Sequence, residues 1–134
     1  MSAHIPLRLT ETMERFLAGN HVATLITLRR DGSPHAAPMR FTWDSSAGLV
    51  RVMTAASRRK ARNVAAGPGS RAAVCQVAGF QWVTLEGSAV ISHDPARVAE
   101  GIHRYRQRYS SPPPNPPGLV VIEIAVDRVL SLNS

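Results

Sequence analysis

The chain has 134 residues, 44% of them hydrophobic, which suits one domain, residues 1–134, around one core. No run approaches the ~20 consecutive apolar residues that cross a bilayer, Met1 to Thr10 lacks the apolar stretch of a secretory signal, and the single cysteine, Cys75, can form neither an internal disulfide nor a thiolate cluster, so a soluble cytoplasmic protein is expected. The net charge of +7 and pI near 11.2 attract anions of every kind, and with fifteen of the sixteen cations being arginine and Lys60 the only lysine, the charge does not choose among nucleic acid, anionic lipid and phosphorylated small molecules.

A first helix is predicted over Glu11 to Ala18. Thr10 is placed to cap it, Glu11 and Glu14 sit in the first turn where the helix dipole favours negative charge, and Gly19-Asn20 stops it. His21 to Leu28 reads as a strand, the Asp31-Gly32 turn tolerates positive φ, and Pro34 to Trp43 returns as a second strand. Pro34 and Pro38 donate no backbone hydrogen bond, so that strand is expected at a sheet edge or bulged. Leu49 to Thr54 is a third strand and Ser57 to Ala66 a short basic helix, broken by Gly67-Pro68-Gly69. Strands over Arg71 to Val77 and Gln81 to Ser92 follow, with Gly87 marking a bulge or bend. Asp94-Pro95 starts a helix that runs to Tyr109. Five prolines between Ser110 and Gly118 make a crossing loop, and Leu119 to Leu130 is a last strand whose continuous apolar start implies burial on both faces. Strands dominate and tight turns join them, which argues for an antiparallel barrel with helices packed outside.

Four segments could carry chemistry. In Ala56 to Asn63 a strand runs into a helix, where free backbone N–H groups, the Ser57 hydroxyl and the charges of Arg58, Arg59 and Lys60 can hold a phosphate; a solvated basic face explains the same residues. The proline-bearing strand at Pro34 to Arg40 can lie along a flat ring or simply block edge-to-edge pairing. Trp82 can stack on a ring or pack in a core or interface, while Glu86, set among apolar residues, needs a cationic partner if buried. Arg104 and Arg108 share one helix face, and Tyr105 and Tyr109 another, so the cations can meet an anionic tail or carboxylate, or the tyrosines can pack on the barrel. No Walker A loop, GxGxxG, His-Glu-x-x-His or Gly-x-Ser-x-Gly is present, and His4, His21, His35, His93 and His103 show no metal-ligand spacing. No metal is expected, and difficult chemistry would belong to a bound cofactor.

Several segments in order, Ala23 to Arg29 with Ser33-Pro34-His35, Lys60-Ala61-x-Asn63, Gln76-Val77-x-Gly79 with Trp82-x-x-Leu85-Glu86-Gly87, Arg104-Tyr105-x-Gln107-Arg108-Tyr109, Pro112-x-Pro114-Asn115-Pro116 and Val120 to Glu123, resemble the split β-barrel flavin and deazaflavin oxidoreductases of the pyridoxamine 5′-phosphate oxidase superfamily. Within it the likeness is nearest to the F420-dependent biliverdin reductases. The resemblance implies a six-stranded antiparallel split barrel, mainly β with flanking helices, forming a homodimer with cofactor sites between subunits. It implies coenzyme F420, with FMN as the alternative, bound by Pro38, Arg40, Thr54, Ser57, Arg59, Lys60, Asn63 and Trp82. It also implies hydride transfer from reduced deazaflavin to biliverdin or a similar conjugated acceptor, whose carboxylates would meet Arg104 and Arg108. An FMN-dependent oxidase or reductase, or a non-catalytic F420-binding protein, would suit the same fold. Nucleic-acid binding rests on charge alone, since no recognition helix or aromatic RNA-binding signature accompanies it.

Overall fold

The computed structural model describes residues 6–67 and 69–132; His4, and Pro68 of the expected helix break, lie outside them. The first helix, α1 (Glu11–Ala18), starts as its cap predicts: Thr10 Oγ1 accepts from the Met13 N–H at 3.1 Å. Seven strands follow as one sheet: β1 (Ala23–Leu28), β2 (Pro34–Met39), β3 (Thr42–Asp44), β4 (Leu49–Ala55), β5 (Arg71–Ala78), β6 (Gln81–Ser92) and β7 (Leu119–Ser131). Their order is β2-β1-β5-β6-β7-β4-β3, and every pairing is antiparallel. Two more helices, α2 (Arg59–Ala65) and α3 (Pro95–Tyr109), complete the described chain. No helix among the described residues is long and apolar enough to cross a membrane.

Two expectations are corrected. The strand predicted over Pro34 to Trp43 is divided into β2 and β3, which raises the count from six to seven. The division falls at Arg40-Phe41 because Phe41 spends its backbone on a side chain instead of a neighbouring strand: its N–H donates to the Tyr109 hydroxyl (3.2 Å), and that hydroxyl donates to its carbonyl (2.7 Å). The second correction is that β2 and β3 are the two edges of the sheet and do not pair, so the sheet is not closed into a barrel by hydrogen bonds. The proline-bearing strand is thus an edge, where its missing donors cost no ladder bond.

Alternation builds the core. Ala23, Leu25 and Thr27 of β1 point inward and are buried, as are Ala72, Val74 and Gln76 of β5 and Val83 and Leu85 of β6. β7 departs from alternation because α3 covers β4 and β7 from outside, and Val120 through Ile124 are all buried. Gly87 sits at the predicted irregularity: Asp127 of β7 is the extra residue between the Glu86–Arg128 and Gly87–Val126 pairs, and a Cβ on Gly87 would lie 1.9 Å from the Ala125 carbonyl oxygen.

Under α3 lies a buried ionic cluster. Arg51 donates to Asp44 at 2.8 Å, Arg104 lies 3.2 Å from the same carboxylate, and Arg97 donates to Glu123 at 2.7 Å. Burial works to raise the Asp44 carboxyl, but bonds from Arg51, Ser46 and the Ala47 N–H outweigh it and hold Asp44 below the ordinary aspartate value. A depressed carboxylate contributes stability above its unfolded value, ~3.9, and that contribution disappears as pH falls through the lower folded value. Asp44→Asn should therefore lose about 3 kcal/mol of unfolding free energy at neutral pH, the scale for orphaning a buried cation. Urea titrations should show the deficit shrinking below pH 4; a constant deficit down to pH 2 would contradict the assignment.

Candidate functional site

A wide concavity lies between the β1–β2 turn and α2. It has a volume of about 820 Å³ and is lined by Arg29, Arg30, Asp31, Arg59, Arg62 and Asn63, with Ala65 and Ala66. Four guanidiniums against one carboxylate make it an anion-selective surface. The Asp31 carboxylate is engaged, accepting from the Ser33 N–H at 2.9 Å and the Ser33 hydroxyl at 2.6 Å. Arg29 Nη1 donates to the Pro34 carbonyl at 2.6 Å, so the groove adjoins the first residue of β2.

β2 presents the second surface. Pro34, Ala36 and Pro38 are exposed and register with Leu28, Ile26 and Thr24 of β1. Those continue across to Ala73 and Cys75 of β5, and then to Glu86 and Thr84 of β6. The row is composed largely of small or uncharged side chains with Glu86 at its β6 end, it is exposed or half-buried where the opposite face of β1, β5 and β6 is buried, and a shallow concavity of about 180 Å³ lies in it beside Ile26, Leu28, Ala73 and Glu86. Trp82 pairs with Val77 at one end, and Arg128 approaches Glu86 to 3.9 Å, a weak answer to the expectation that Glu86 has a cationic partner.

The predicted site residues divide into three groups. Arg59 and Asn63 line the cationic groove. Asn63 is also structural: its amide donates to Thr27 Oγ1 at 3.0 Å and pins α2 onto β1. Pro38 lies on the exposed row of β2. Ser57 is exposed and is not the helix cap; α2 begins at Arg59, with Arg58 in the cap position and no side-chain cap bond. The helix starts late because the Ala56 N–H is drawn to the Gly118 carbonyl (2.8 Å) and the Arg58 N–H to Ala55 (3.1 Å), which keeps residues 56–58 in a turn. Lys60 is half-buried, and burial, then the charge of Arg58, hold its ammonium below the ordinary lysine value. Thr54 is buried in β4, and Trp82 lines a separate cleft of about 690 Å³ with Phe80, Met13 and Leu132.

The third group is held inside the protomer. Arg40 donates to the Tyr105 hydroxyl at 3.1 Å and lies 4.8 Å over the Tyr109 ring. Arg104 is bound to Glu100 and Asp44. Arg108 donates from Nε to the Gly19 carbonyl (2.8 Å), from Nη1 to the Phe41 carbonyl (2.6 Å) and from Nη2 to the Gln76 carboxamide (2.6 Å). Arg108 is therefore a brace between α1, β5 and the β2–β3 corner.

Arg29, Arg30 and Arg62 were missed by sequence reasoning. The first two flank a turn that reads as ordinary hairpin chemistry, and only the sheet register brings them opposite α2. His35 was also passed over: it sits on β2 opposite Thr27, with its Nδ1 buried and unpartnered.

Residues 9–133 match the protein family described as pyridoxamine 5′-phosphate oxidase. A Mycobacterium tuberculosis protein named F420H(2)-dependent biliverdin reductase is 42% identical over 123 residues, covering 92% of this chain and 88% of that protein. Among solved structures, one described as an F420 reductase is 25% identical with a TM-score of 0.72, covering 91% of this chain and 98% of its own. A conserved hypothetical protein of Mycobacterium tuberculosis shares the fold at a TM-score of 0.75 and 22% identity, covering 98% of this chain and 89% of its own.

The groove and the Asn63 bond separate by mutation. Arg59→Gln and Arg62→Gln should each weaken binding of tripolyphosphate measured by calorimetry, with a slope against salt that falls for each charge removed. Both side chains are exposed, so melting should change by no more than about 0.5 kcal/mol. Asn63→Ala should instead cost about 1–3 kcal/mol of stability by orphaning Thr27.

Proposed function

This chain belongs to the pyridoxamine 5′-phosphate oxidase family, and on that premise we propose that it is an F420-dependent reductase. In this reading it passes a hydride from reduced deazaflavin to biliverdin or a similar conjugated acceptor, as a cytoplasmic homodimer of one-domain protomers spanning residues 1–134. The observation that carries the reading is the junction of the exposed β2 row of Pro34, Ala36 and Pro38 with a four-arginine groove, linked by the Arg29–Pro34 bond.

These surfaces fit the two halves of the cofactor. Its ring system is broad and flat and needs small side chains and an uncovered edge strand, which Pro34, Ala36 and Pro38 supply. Its phosphate and carboxylates need fixed cations, which Arg29, Arg30, Arg59 and Arg62 supply. Lys60 adds a half-buried ammonium whose depressed protonation is relieved by an anion nearby. Reduced deazaflavin, when bound, supplies a hydride from its C5. The chain's own contribution is to hold the ring against β2, orient an acceptor across it and exclude water.

The half-exposed face of β2, β1, β5 and β6 supports the homodimer. It extends over four strands and carries Ile26, Thr24, Ala73, Cys75 and Thr84, with Glu86 directly opposite Ala73 and Arg71 at one end of β5. Such a face is self-complementary across a two-fold axis and would bury the edge of the ring site as it closes. The lone thiol, Cys75, lies on this face, consistent with a reducing compartment.

A fluorescence titration with oxidised F420, run beside FMN at equal salt, tests the assignment. Saturable quenching by F420 with little response to FMN is the expected result, followed by oxidation of reduced F420 on adding biliverdin. Preference for FMN would move the protein to the oxidase branch of its family. Lys60→Ala should weaken F420 binding by roughly 1–3 kcal/mol, the cost of losing a bond to a charged group, with melting little changed; unaltered affinity would remove Lys60 from the site.

A further inference from the structure

The hydrogen-bond parity of β2 fixes what its open edge can offer. The Arg29 N–H donates to the Ser33 carbonyl at 2.9 Å, so that carbonyl faces β1. The peptide bond is planar and trans, so the nitrogen of Pro34 faces the other way, and along an antiparallel strand the direction alternates with every residue. Residues 34, 36 and 38 therefore aim their backbone groups at the free edge, while His35, Ala37 and Met39 turn theirs to β1. Among the described strands none lies beyond this edge, and Pro34, Ala36 and Pro38 are exposed.

Two of these outward positions are proline, which has no N–H. Within β2 the Ala36 N–H is then the one donor turned to the edge, beside the carbonyls of Pro34, Ala36 and Pro38, and the Pro34 carbonyl is already taken by Arg29 at 2.6 Å. A second strand cannot add here without leaving its own carbonyls unmet. A planar ring can lie here if it brings few acceptors. That imbalance bears on the choice between the two cofactor classes. An oxidised flavin and a deazaflavin share one tricyclic outline and differ at ring position 5. The flavin carries there a nitrogen with an in-plane lone pair, an acceptor that loses its water when the ring docks. The deazaflavin carries C–H, which needs no donor and makes a weak favourable contact with a carbonyl. An edge rich in carbonyls leaves the flavin nitrogen dehydrated and unmet, and the carbon loses nothing.

We propose that Pro34 and Pro38 are specificity-determining residues: by withholding two N–H groups from the free edge of β2 they select a ring with carbon at position 5 over one with nitrogen. The proposal rests on the reading that the ring lies along β2. It assigns the selection to the strand and not to the cationic groove, which meets a phosphate on either cofactor. The selectivity comes from a penalty on the wrong ring, not from an added bond to the right one.

FMN and its 5-deaza analogue carry the same phosphate and differ only at that ring atom, so together they isolate the strand from the groove. Fluorescence titrations of the full wild-type chain should show 5-deaza-FMN bound about threefold to tenfold more tightly than oxidised FMN, the scale of one hydrogen bond. The double variant Pro34→Ala with Pro38→Ala returns both N–H groups to an exposed edge. It should tighten FMN and bring the ratio of the two affinities towards one, with 5-deaza-FMN changed less. Gel filtration checks that the variant keeps the parent's size, since a restored edge can also pair with another copy. A second readout needs no variant. Reduced FMN carries hydrogen on the same nitrogen and presents a donor to the carbonyls, so by anaerobic equilibrium dialysis it should bind the wild-type chain more tightly than oxidised FMN. Equal affinities for FMN and 5-deaza-FMN in the wild-type chain, no saturable binding of either, reduced FMN bound no better than oxidised, or an unchanged ratio in a variant of parental size would each overturn the proposal. Equal affinities for that pair alongside a preference for F420 over FMN would leave the F420 reading standing and move its selectivity to the groove.

Discussion

One carbonyl oxygen, that of Phe41, receives both the Arg108 guanidinium at 2.6 Å and the Tyr109 hydroxyl at 2.7 Å. The chain leaves β2 there and enters β3, at opposite edges of the same sheet. A peptide at such a corner has no strand partner, and buried it would leave a donor and an acceptor unmet. The last turn of α3 supplies both. Because Arg108 also holds Gly19 and Gln76, the same contact ties the end of α1 and the middle of β5 to the corner. Phe41 and Tyr109 add ring faces to the guanidinium at 4.7 and 4.9 Å. The position of β2, and with it the exposed row of Pro34, Ala36 and Pro38, follows from where this corner is pinned.

The arginines therefore do different work according to what surrounds them. Those of the β1–β2 turn and α2 stand in solvent, where a bound anion gains from several charges at once and salt weakens it. Arg51, beneath α3, is buried with Asp44, where removing one partner costs more than the pair contributes. Arg108 belongs to neither class: it is half-buried and held by three neutral oxygens and two ring faces, a combination that stabilises the corner without a carboxylate. A composition of fifteen arginines conceals this division entirely, since the residue type is the same in all three settings.

Local signals were legible where they depend on near neighbours. The Thr10 cap, the Asp94-Pro95 helix start, the edge placement of the proline strand and the irregularity at Gly87 all follow from backbone rules that act within a few residues. What was not legible depends on long-range partners. The division of β2 from β3 requires a tyrosine 68 positions away. The late start of α2 requires the Gly118 carbonyl beyond the proline loop. The ordered motifs carried the family and cofactor class, yet the cations of the groove were half missed, because Arg29 and Arg30 become neighbours of Arg59 and Arg62 only when α2 folds across β1. The helical spacing of Arg104 and Arg108 was read correctly, but shared spacing does not give shared roles: one is neutralised by Asp44 and Glu100 and the other is not.

The solvated groove and the buried corner also differ in what they can do. A groove with four guanidiniums selects by total charge and accepts any extended polyanion that spans it, so its affinity is high at low salt and its specificity must come from the strand beside it. The corner selects nothing, because the Phe41 carbonyl is already met by Arg108 and Tyr109. What it contributes is position: Arg108 holds the end of β2, and the Arg29 bond to the Pro34 carbonyl holds its start, so the strand along which the ring is proposed to lie is fixed at both ends by arginines that take no part in its face. Loosening either contact would move the strand relative to the groove, and the distance between ring and anion sites depends on both.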